Sequence, residues 1–355
     1  MRRGDEVTCT VPTHRVDLEL AEDLYEEALR HFGYDNIPPA LPPTAAPPGK
    51  RLGSWPLTER GRDALHAAGL AEAVTYSFIA PELETATAGT PLTNRGDAVE
   101  LANPLSARQT VMRRSLLGGL AEAAAGNLRR GAERVMLGEV GRAFFTTGGE
   151  VREGERLAVV LAGRAGGWDH SRPFDFLDLK GILEGVLEAL GVSAPAWRPS
   201  GSIMLAAGEG AEVVAGDQVI GVAGRLAEAV AALVAAPLPL WVGELDLACA
   251  AGDVVPEFRP LPRHPAVIAD LTVRHSLALA YDELAGALRA AAPTWLEEIA
   301  PVARYHGEGV AADEVKTTLR LVYRHGERSL TQDEVNAAHF ALMETLTRQL
   351  GVSFT

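Results

Sequence analysis

The stretch KTTLRLVYR, residues 316–324, decides the fold of the last part of the chain. Its side chains alternate, with Leu319, Leu321 and Tyr323 at the odd positions and basic residues at several even ones. Successive side chains of a β-strand point to opposite faces of a sheet. The alternation therefore predicts a strand with one face on a core and one face open.

Working outward from this strand, the flanking segments form a regular pattern. In order they are a strand over 268–274, a helix over 281–292, a strand over 299–306, the quoted strand, a helix over 331–350 and a short strand over 352–354. Thr331 and Glu334 have the spacing of a capping box at the start of the last helix. The order β-α-β-β-α-β predicts a ferredoxin-like domain.

The open face of this sheet is predicted to be basic. The candidate RNA-binding residues are Arg274, Arg304, Lys316, Arg320 and Arg324, with His306 beside them. A basic sheet with one free side suits single-stranded RNA, whose bases and phosphates it can hold. A solvated antiparallel face also commonly carries charges, so the pattern leaves both interpretations open.

The central block mixes helices and strands irregularly. Helices are predicted over 57–68, 115–127 and 178–190, and strands over 135–145 and 157–161. This order favours an antiparallel sheet backed by helices over a doubly wound parallel sheet. The apolar run 229–243 is shorter than the roughly 18–20 residues of a membrane span, so it predicts a buried hairpin or helix–strand segment. The fold class is therefore α+β.

Acidic residues surround the start of a first predicted helix, residues 21–32. Asp17 precedes it, and Asp23, Glu26 and Glu27 lie in its first turns. Residues three and four apart are neighbours on a helix, and converging carboxylates suit Mg²⁺ or Ca²⁺. Acidic residues also stabilise the first turn of any helix through its dipole, so the spacing alone does not separate the two explanations.

Composition limits the possible functions. The 355 residues carry a formal net charge of −14, which argues against wholesale coating of nucleic acid but allows one local basic face. Cys9 and Cys249 form no disulfide framework and no zinc pattern, which favours a reduced, cytoplasmic compartment. Gly4-Asp5-Glu6 stands where a signal peptide needs apolar residues, and no membrane partner is expected.

Three groups of motifs carry a family resemblance. They are VPTHRVDLE (11–19), EDLYEE (22–27) and GYDNIP (33–38); VTYSF (74–78), NPLS (103–106), VMRRSLL (111–117) and GEVGRAF (138–144); and YHGEG (305–309) and RSLTQDEVN (328–336). In this order they resemble the β subunit of bacterial phenylalanyl-tRNA synthetases. The resemblance covers essentially the whole chain and only the C-terminal portion of the family's β subunit, without its upstream OB-fold and editing domains.

The resemblance implies a domain for each block. These are a partial, winged-helix-like metal-carboxylate domain over 1–39, a degenerate class II synthetase-like core over 51–251 and a ferredoxin-fold anticodon-binding domain over 263–355. Proline-rich residues 40–50 and residues 252–262 are expected to be linkers. In the family, the positions matching the four acidic residues bind Mg²⁺ where the β subunit meets the α subunit.

The central core is expected to be non-catalytic. Residues 139–142 differ from the signature of an active class II synthetase, and 221–243 lack its glycine-rich strand with a Glu-Arg pair. No P-loop or Gly-x-Gly-x-x-Gly motif is present. Arg113 and Arg142 resemble phosphate binders, but the enrichment of arginine at interfaces favours salt bridges to a neighbouring subunit.

The expected function is therefore that of a non-catalytic β-subunit portion of phenylalanine-tRNA ligase. By resemblance it scaffolds a catalytic, ATP-binding α subunit in an α2β2 assembly and binds tRNA(Phe). One alternative is a free-standing tRNA-binding or regulatory module derived from that subunit. Another is an independent Mg²⁺-dependent enzyme that uses the four carboxylates. No general base or substrate-binding motif accompanies these carboxylates in the sequence.

Overall fold

The computed structural model describes residues 2–4, 6–40, 49, 53–104, 106, 108–166, 172–192, 195–250, 258 and 260–354. It divides the chain into two compact units, Met1–Val254 and Val255–Thr355. The predicted linkers, 40–50 and 252–262, fall mostly outside the described residues. Among the residues described, no helix combines the length and apolar character that crossing a bilayer requires.

The first unit contains a large sheet, two small sheets and six helices among its described residues. In chain order the elements are β1 (Arg2–Arg3), β2 (Glu6–Val7), α1 (Ala21–Phe32), a 3-10 turn (Tyr34–Asn36), α2 (Trp55–Ala67), β3 (Ala71–Glu72), β4 (Phe78–Ile79), α3 (Pro81–Thr87), β5 (Val99–Glu100), β6 (Val111–Met112), α4 (Leu117–Arg129), β7 (Arg134–Thr147), β8 (Glu150–Ala165), β9 (Arg172–Pro173), α5 (Phe176–Ala189), β10 (Ala196–Pro199), β11 (Leu205–Ala215), β12 (Gln218–Leu226), α6 (Glu228–Leu233) and β13 (Leu240–Asp246).

The large sheet has the strand order β10-β11-β12-β13-β8-β7-β3, with β9 beside β8. All its pairs are antiparallel except β3 with β7. The predicted antiparallel sheet backed by helices is thus confirmed. The run 229–243 forms helix α6 and the start of strand β13, the helix–strand alternative of its prediction.

Helices cover both faces of this sheet. Along β8, Ala158, Val160 and Ala162 belong to a core that includes α4, whereas Leu157 and Val159 belong to one that includes α5. All are fully buried. A strand buried on both faces is apolar at successive positions, which is why β8 shows no polar alternation over these residues.

The second unit has the predicted ferredoxin-like order. Its elements are β14 (Val267–Ser276), α7 (Tyr281–Ala291), β15 (Leu296–Tyr305), β16 (Glu314–Tyr323), α8 (Gln332–Leu350) and β17 (Ser353–Phe354). The strands form one antiparallel sheet in the order β15-β16-β14-β17. The predicted element order β-α-β-β-α-β is confirmed.

The alternation along β16 is also confirmed. Leu319, Leu321 and Tyr323 are fully buried, and they pack in one core with Leu284 of α7 and Leu346 of α8. The even positions of the strand are partly exposed, Arg320 the most of them. Both helices therefore lie on one side of the sheet, and the other side is open within this unit.

The predicted capping box at the start of α8 is present. Thr331 Oγ1 accepts the N–H of Glu334 at 3.4 Å, and Glu334 Oε2 accepts the N–H of Thr331 at 2.9 Å. Arg328 Nη2 donates to Glu334 Oε1 at 2.7 Å. The Arg328 guanidinium, followed by the Thr331 bonds, lowers the pKa of Glu334 to about 2.

The variant Glu334→Gln is expected to destabilise the second unit near neutral pH and progressively less in acid. Because the folded pKa of about 2 lies below the ordinary value of 4.5, the ionised carboxylate contributes fully above about pH 4.5. That contribution is lost as the pH falls towards 2. Urea unfolding between pH 7 and 3 measures it, with Asp333→Asn as the first-turn control. The assignment of this contribution to the ionised Glu334 would be contradicted if the free energy of unfolding differed between wild type and variant by the same amount at every pH.

Candidate functional sites on the open sheet face and the acidic segment

The open face of the second unit is defined by the register of β14 and β16. Asp270 lies opposite Arg320, and Arg274 lies opposite Lys316. Arg320 Nε and Nη2 each donate to one carboxylate oxygen of Asp270 at 2.9 Å. The Arg320 guanidinium holds the pKa of Asp270 below its ordinary value. Arg320 and Asp270 therefore neutralise each other's charge at this face.

Two other predicted RNA-binding arginines are also paired with acids. Arg274 Nε donates to Glu314 Oε2 at 2.5 Å, and Arg324 Nε donates to Glu297 Oε2 at 2.8 Å. Lys316 has no ion pair among the described residues of the unit. Of the predicted RNA-binding residues described on this face, Lys316 is thus the one without a directly bound acidic partner.

The expected position of Arg304 on the same face needs correction. The register of β15 against β16 shifts between Pro301 and Ala303, so that Arg304 lies opposite Thr317 and shares its helix-side face. A bulge adds one residue to a strand, and a shift of one residue moves the following side chains to the other face. Tyr305, half-exposed, lies opposite Lys316 instead.

The alternation of 299–306 does not predict the open-face position of Tyr305, because it gives no sign of the bulge. The sequence signal for the bulge is Pro301, since proline in a sheet is confined to edges and bulges. His306 follows the last residue of β15. RNA binding by Arg274, Lys316, Arg320 and Arg324 stays a prediction, whereas the prediction for Arg304 assumed the open face and the register places Arg304 on the other one.

The acidic segment lies in the loop before α1 and in its first turns. Arg15 Nε donates to Asp17 Oδ1 at 3.0 Å, and Arg15 Nη2 lies 2.6 Å from Glu27 Oε1. The Arg15 guanidinium lowers the pKa of Asp17 to about 2. Asp23 Oδ2 accepts the backbone N–H groups of Glu19 and Leu20, at 2.8 and 2.7 Å. The structure therefore joins Asp17 to Glu27 through an arginine.

The predicted metal ligands do not fit a metal ion in this arrangement. Within the described ranges, no group of three or more acidic, histidine or cysteine side chains is placed to hold one. Asp17, Asp23 and Glu27 have oxygens engaged by N–H donors, and Glu26 lies exposed on α1. Magnesium binding by these four residues stays a prediction from the family resemblance.

The arginines considered as phosphate binders form pairs within the chain. Arg113 Nη1 donates to Glu139 Oε1 at 2.8 Å, and the side chains of both residues are almost fully buried. Arg142 Nη1 donates to Glu153 on the neighbouring strand at 2.6 Å. The favoured explanation, salt bridges to a neighbouring subunit, is thus replaced by pairs inside this chain.

Further charged groups are buried near the start of α4. Glu244 is fully buried and accepts hydrogen bonds from Ser115 Oγ at 2.8 Å and the N–H of Leu116 at 2.7 Å. Burial raises the pKa of Glu244. Arg156 Nη1 lies 2.6 Å from Asp246 Oδ2, with both side chains at most 2% exposed. This sheet face is occupied by buried charged residues paired within the chain, with α4 packed over it.

An apolar surface is left exposed where the chain runs from β3 to β4. Val74 is 89% exposed and Tyr76 is 70% exposed, and the ring of Tyr76 stacks on Phe78 with centroids 5.4 Å apart. These residues line a cavity of about 1080 Å³. The buried Arg113 Nη1 donates to Thr75 Oγ1 at 2.7 Å, so an internal ion pair fixes the segment that carries the exposed side chains.

Comparison with known protein families places the chain. Residues 37–247 match the family model described as "Phenylalanyl tRNA synthetase beta chain CLM domain". The chain belongs to this β-chain family. Residues 262–354 match the "Ferredoxin-fold anticodon binding domain", and residues 1–34 match the "tRNA synthetase B5 domain". The open sheet face therefore lies within the residues that match the anticodon-binding domain. The acidic segment lies within the residues that match the B5 domain.

Curated β-chain relatives are similar over almost the whole chain. The phenylalanine–tRNA ligase beta subunit of Moorella thermoacetica is 38% identical over 352 residues, covering 97% of this chain and 44% of the relative. That of Anaeromyxobacter dehalogenans is 36% identical over 361 residues, with 98% and 44% covered. The chain thus spans less than half the length of these β-chain relatives.

A solved structure is also similar, at a lower sequence identity than these relatives. A pyrrolysyl-tRNA synthetase from Desulfitobacterium hafniense aligns with a TM-score of 0.44 and 16% identity, covering 64% of this chain and 70% of that one.

Proposed function

We propose that this chain is a non-catalytic β-subunit portion of a phenylalanine-tRNA ligase of class II type. It scaffolds an α subunit that binds ATP and carries the active site, and it holds tRNA(Phe) during aminoacylation in the cytoplasm. The observation that carries the proposal is the anticodon-binding fold of the second unit, whose sheet has one face covered by helices and one face open.

The paired charges of the central sheet support a non-catalytic role. Amino-acid activation needs free donors for the phosphates of ATP and space for an adenylate. Arg113 is bound to Glu139 and covered by neighbouring side chains, and α4 packs on the same sheet face as Val160 and Val242. The Arg113 side chain is 4% exposed, so its guanidinium faces the interior of the chain and is not open to a phosphate.

The exposed surface at Val74 and Tyr76 supports a protein partner. Aromatic residues are enriched at the centres of protein–protein interfaces, and Tyr76 is fixed in place by the internal bonds of its segment. We propose that an α subunit of the ligase binds here, in an assembly with two copies of each subunit.

Co-expression with a phenylalanyl-tRNA synthetase α subunit tests this function. Size-exclusion chromatography with mass detection is expected to show a stoichiometric complex. Tyr76→Asp is expected to weaken it at least tenfold, because a charge would be desolvated at the contact. Val151→Asp, at a site that is 57% exposed elsewhere in the same unit, is the matched control. Separate elution of two folded proteins would contradict the scaffold function.

A free-standing tRNA-binding module is the second candidate. The second unit has its own hydrophobic core and its own open sheet, which favours RNA binding that does not depend on a partner. The two functions differ in one measurement, the affinity for tRNA(Phe) with and without the α subunit. A module binds equally well in both cases, whereas a scaffold portion binds more tightly within the complex.

A further inference from the structure

The acidic segment contains a cation of its own, the guanidinium of Arg15. Arg15 Nη2 lies 2.7 Å from Asp17 Oδ2 and 2.6 Å from Glu27 Oε1. Nε of the same side chain donates to Asp17 Oδ1 at 3.0 Å. One side chain thus binds both oxygens of Asp17 and one oxygen of Glu27. These are two of the carboxylates that the family resemblance assigns to Mg²⁺.

Other N–H donors bind oxygens that Arg15 does not reach. Arg30 Nη2 donates to Glu27 Oε2 at 2.6 Å, and Asp23 Oδ2 accepts the backbone N–H groups of Glu19 and Leu20. Mg²⁺ requires near-octahedral oxygen ligands at about 2.0–2.1 Å. A metal ion at the oxygens of Asp17 or Glu27 therefore competes with a guanidinium for their lone pairs.

Arg15 also holds the loop to the helix. Helix α1 has no buried residue, so burial of apolar surface within the described part of the chain does not fix the loop before it. The bond to Glu27 connects Arg15 to the middle of the helix, a residue that lies 12 positions further along the chain. Isolated helices of about 12 residues are marginal in water, so a tie of this kind matters for the order of the segment.

We propose that Arg15 takes the place of a divalent cation at Asp17 and Glu27. The guanidinium neutralises the two carboxylates, ties the loop to α1 and competes with Mg²⁺ for the same oxygens. Metal binding at the segment is therefore weakened while Arg15 stays in place. A chain without Arg15 depends on a divalent cation for the order that the arginine otherwise provides.

A titration of the whole chain with Mn²⁺, followed by electron paramagnetic resonance of the free ion, tests this competition. Mn²⁺ accepts the same oxygen ligands as Mg²⁺. Arg15→Gln removes a positive charge and frees three carboxylate oxygens, so it is expected to tighten Mn²⁺ binding about tenfold or more. Arg30→Gln, which leaves the bridge between Asp17 and Glu27 intact, is the matched control and is expected to change binding less than threefold.

Amide hydrogen exchange of residues 15–27 provides the second readout. In the wild-type chain, exchange is expected to be unchanged by a chelator. In Arg15→Gln it is expected to be about threefold faster without metal, the scale of one exposed ion pair, and to slow again with Mn²⁺. Arg15→Lys keeps the charge without the planar fork and is expected to lie between the two.

The proposal is overturned if the wild-type chain binds Mn²⁺ as tightly as Arg15→Gln. It is also overturned if Mn²⁺ fails to slow exchange in Arg15→Gln, because the metal and the arginine would then not act on the same carboxylates.

Discussion

Replacing Asp246 with alanine is expected to lower the free energy of unfolding of the first unit by about 3–5 kcal/mol. Its carboxylate is paired with Arg156 at 2.6 Å and with Arg95, and Oδ1 accepts the N–H groups of Ala248 and Cys249 at 3.0 and 3.3 Å. The Arg156 side chain is 1% exposed, so the variant leaves a buried charge without its partner.

The cost is expected to be large because Arg156 has little else to bind. Its Nη2 donates to the carbonyl oxygen of Leu92 at 3.3 Å, whereas Nε and Nη1 have no hydrogen-bond partner among the described residues, so that Nη1 meets Asp246 as a close ion pair only. Removing one member of a buried pair leaves the desolvation of the other uncompensated. The loss therefore exceeds what the pair itself contributes.

Urea unfolding followed by tryptophan fluorescence measures the effect. The matched control is Glu209→Ala, which breaks the exposed pair with Arg225 and is expected to cost less than about 1 kcal/mol. A double variant, Arg156→Met with Asp246→Leu, is expected to recover most of the loss, because both charges are then removed together. A single-variant loss below 1 kcal/mol would show that the Asp246 pair is hydrated and not buried.

The second unit was predictable from sequence because its signals are local. The strand 316–324 alternates visibly, and Thr331 with Glu334 marks the start of α8. One face of this sheet is open, so polarity and position are linked along each strand. The same physics explains why β14 and β16 end within a few residues of their predicted bounds.

The first unit was less predictable because its main sheet is covered on both faces. Strands β10, β11 and β12, between 196 and 226, were not predicted. Their apolar residues do not alternate clearly, and glycines such as Gly221 and Gly224 interrupt them. These glycines stand where a side chain would collide: a Cβ at Gly224 would lie 2.5 Å from the carbonyl oxygen of Glu209. The close approach of neighbouring strands requires glycine at these positions. That approach cannot be predicted from the local periodicity of the sequence.

The candidate sites show the same limit. The four acidic residues were found by their spacing, but the insertion of Arg15 between Asp17 and Glu27 depends on the path of the loop. The basic residues of the open sheet were found by alternation, but the bulge at Pro301 moved Arg304 to the other face. Residue type is readable from sequence, whereas the pairing of charges needs the three-dimensional register.

The variant Lys316→Glu is expected to weaken binding of tRNA(Phe) by roughly tenfold and to reduce the steepness of its salt dependence. Lys316 lies on the open face opposite Arg274 and Tyr305, without an acidic partner among the described residues of this unit. A phosphate bound at Lys316 releases counterions. For single strands, each such contact contributes about 0.7 to the slope of the logarithm of affinity against the logarithm of salt concentration. Fluorescence anisotropy with tRNA(Phe) at several salt concentrations measures both quantities.

The matched control for Lys316 is Arg304→Glu, which makes the same change in charge at the penultimate residue of β15. The register places Arg304 opposite Thr317, on the helix-side face. Long-range attraction of the whole unit falls equally in both variants, so a difference between them reports direct contact with RNA. We expect Arg304→Glu to weaken binding less than threefold. Equal losses would mean that the RNA senses only the charge of the unit, and a larger loss at Arg304 would place the RNA on the edge of the sheet and away from its open face.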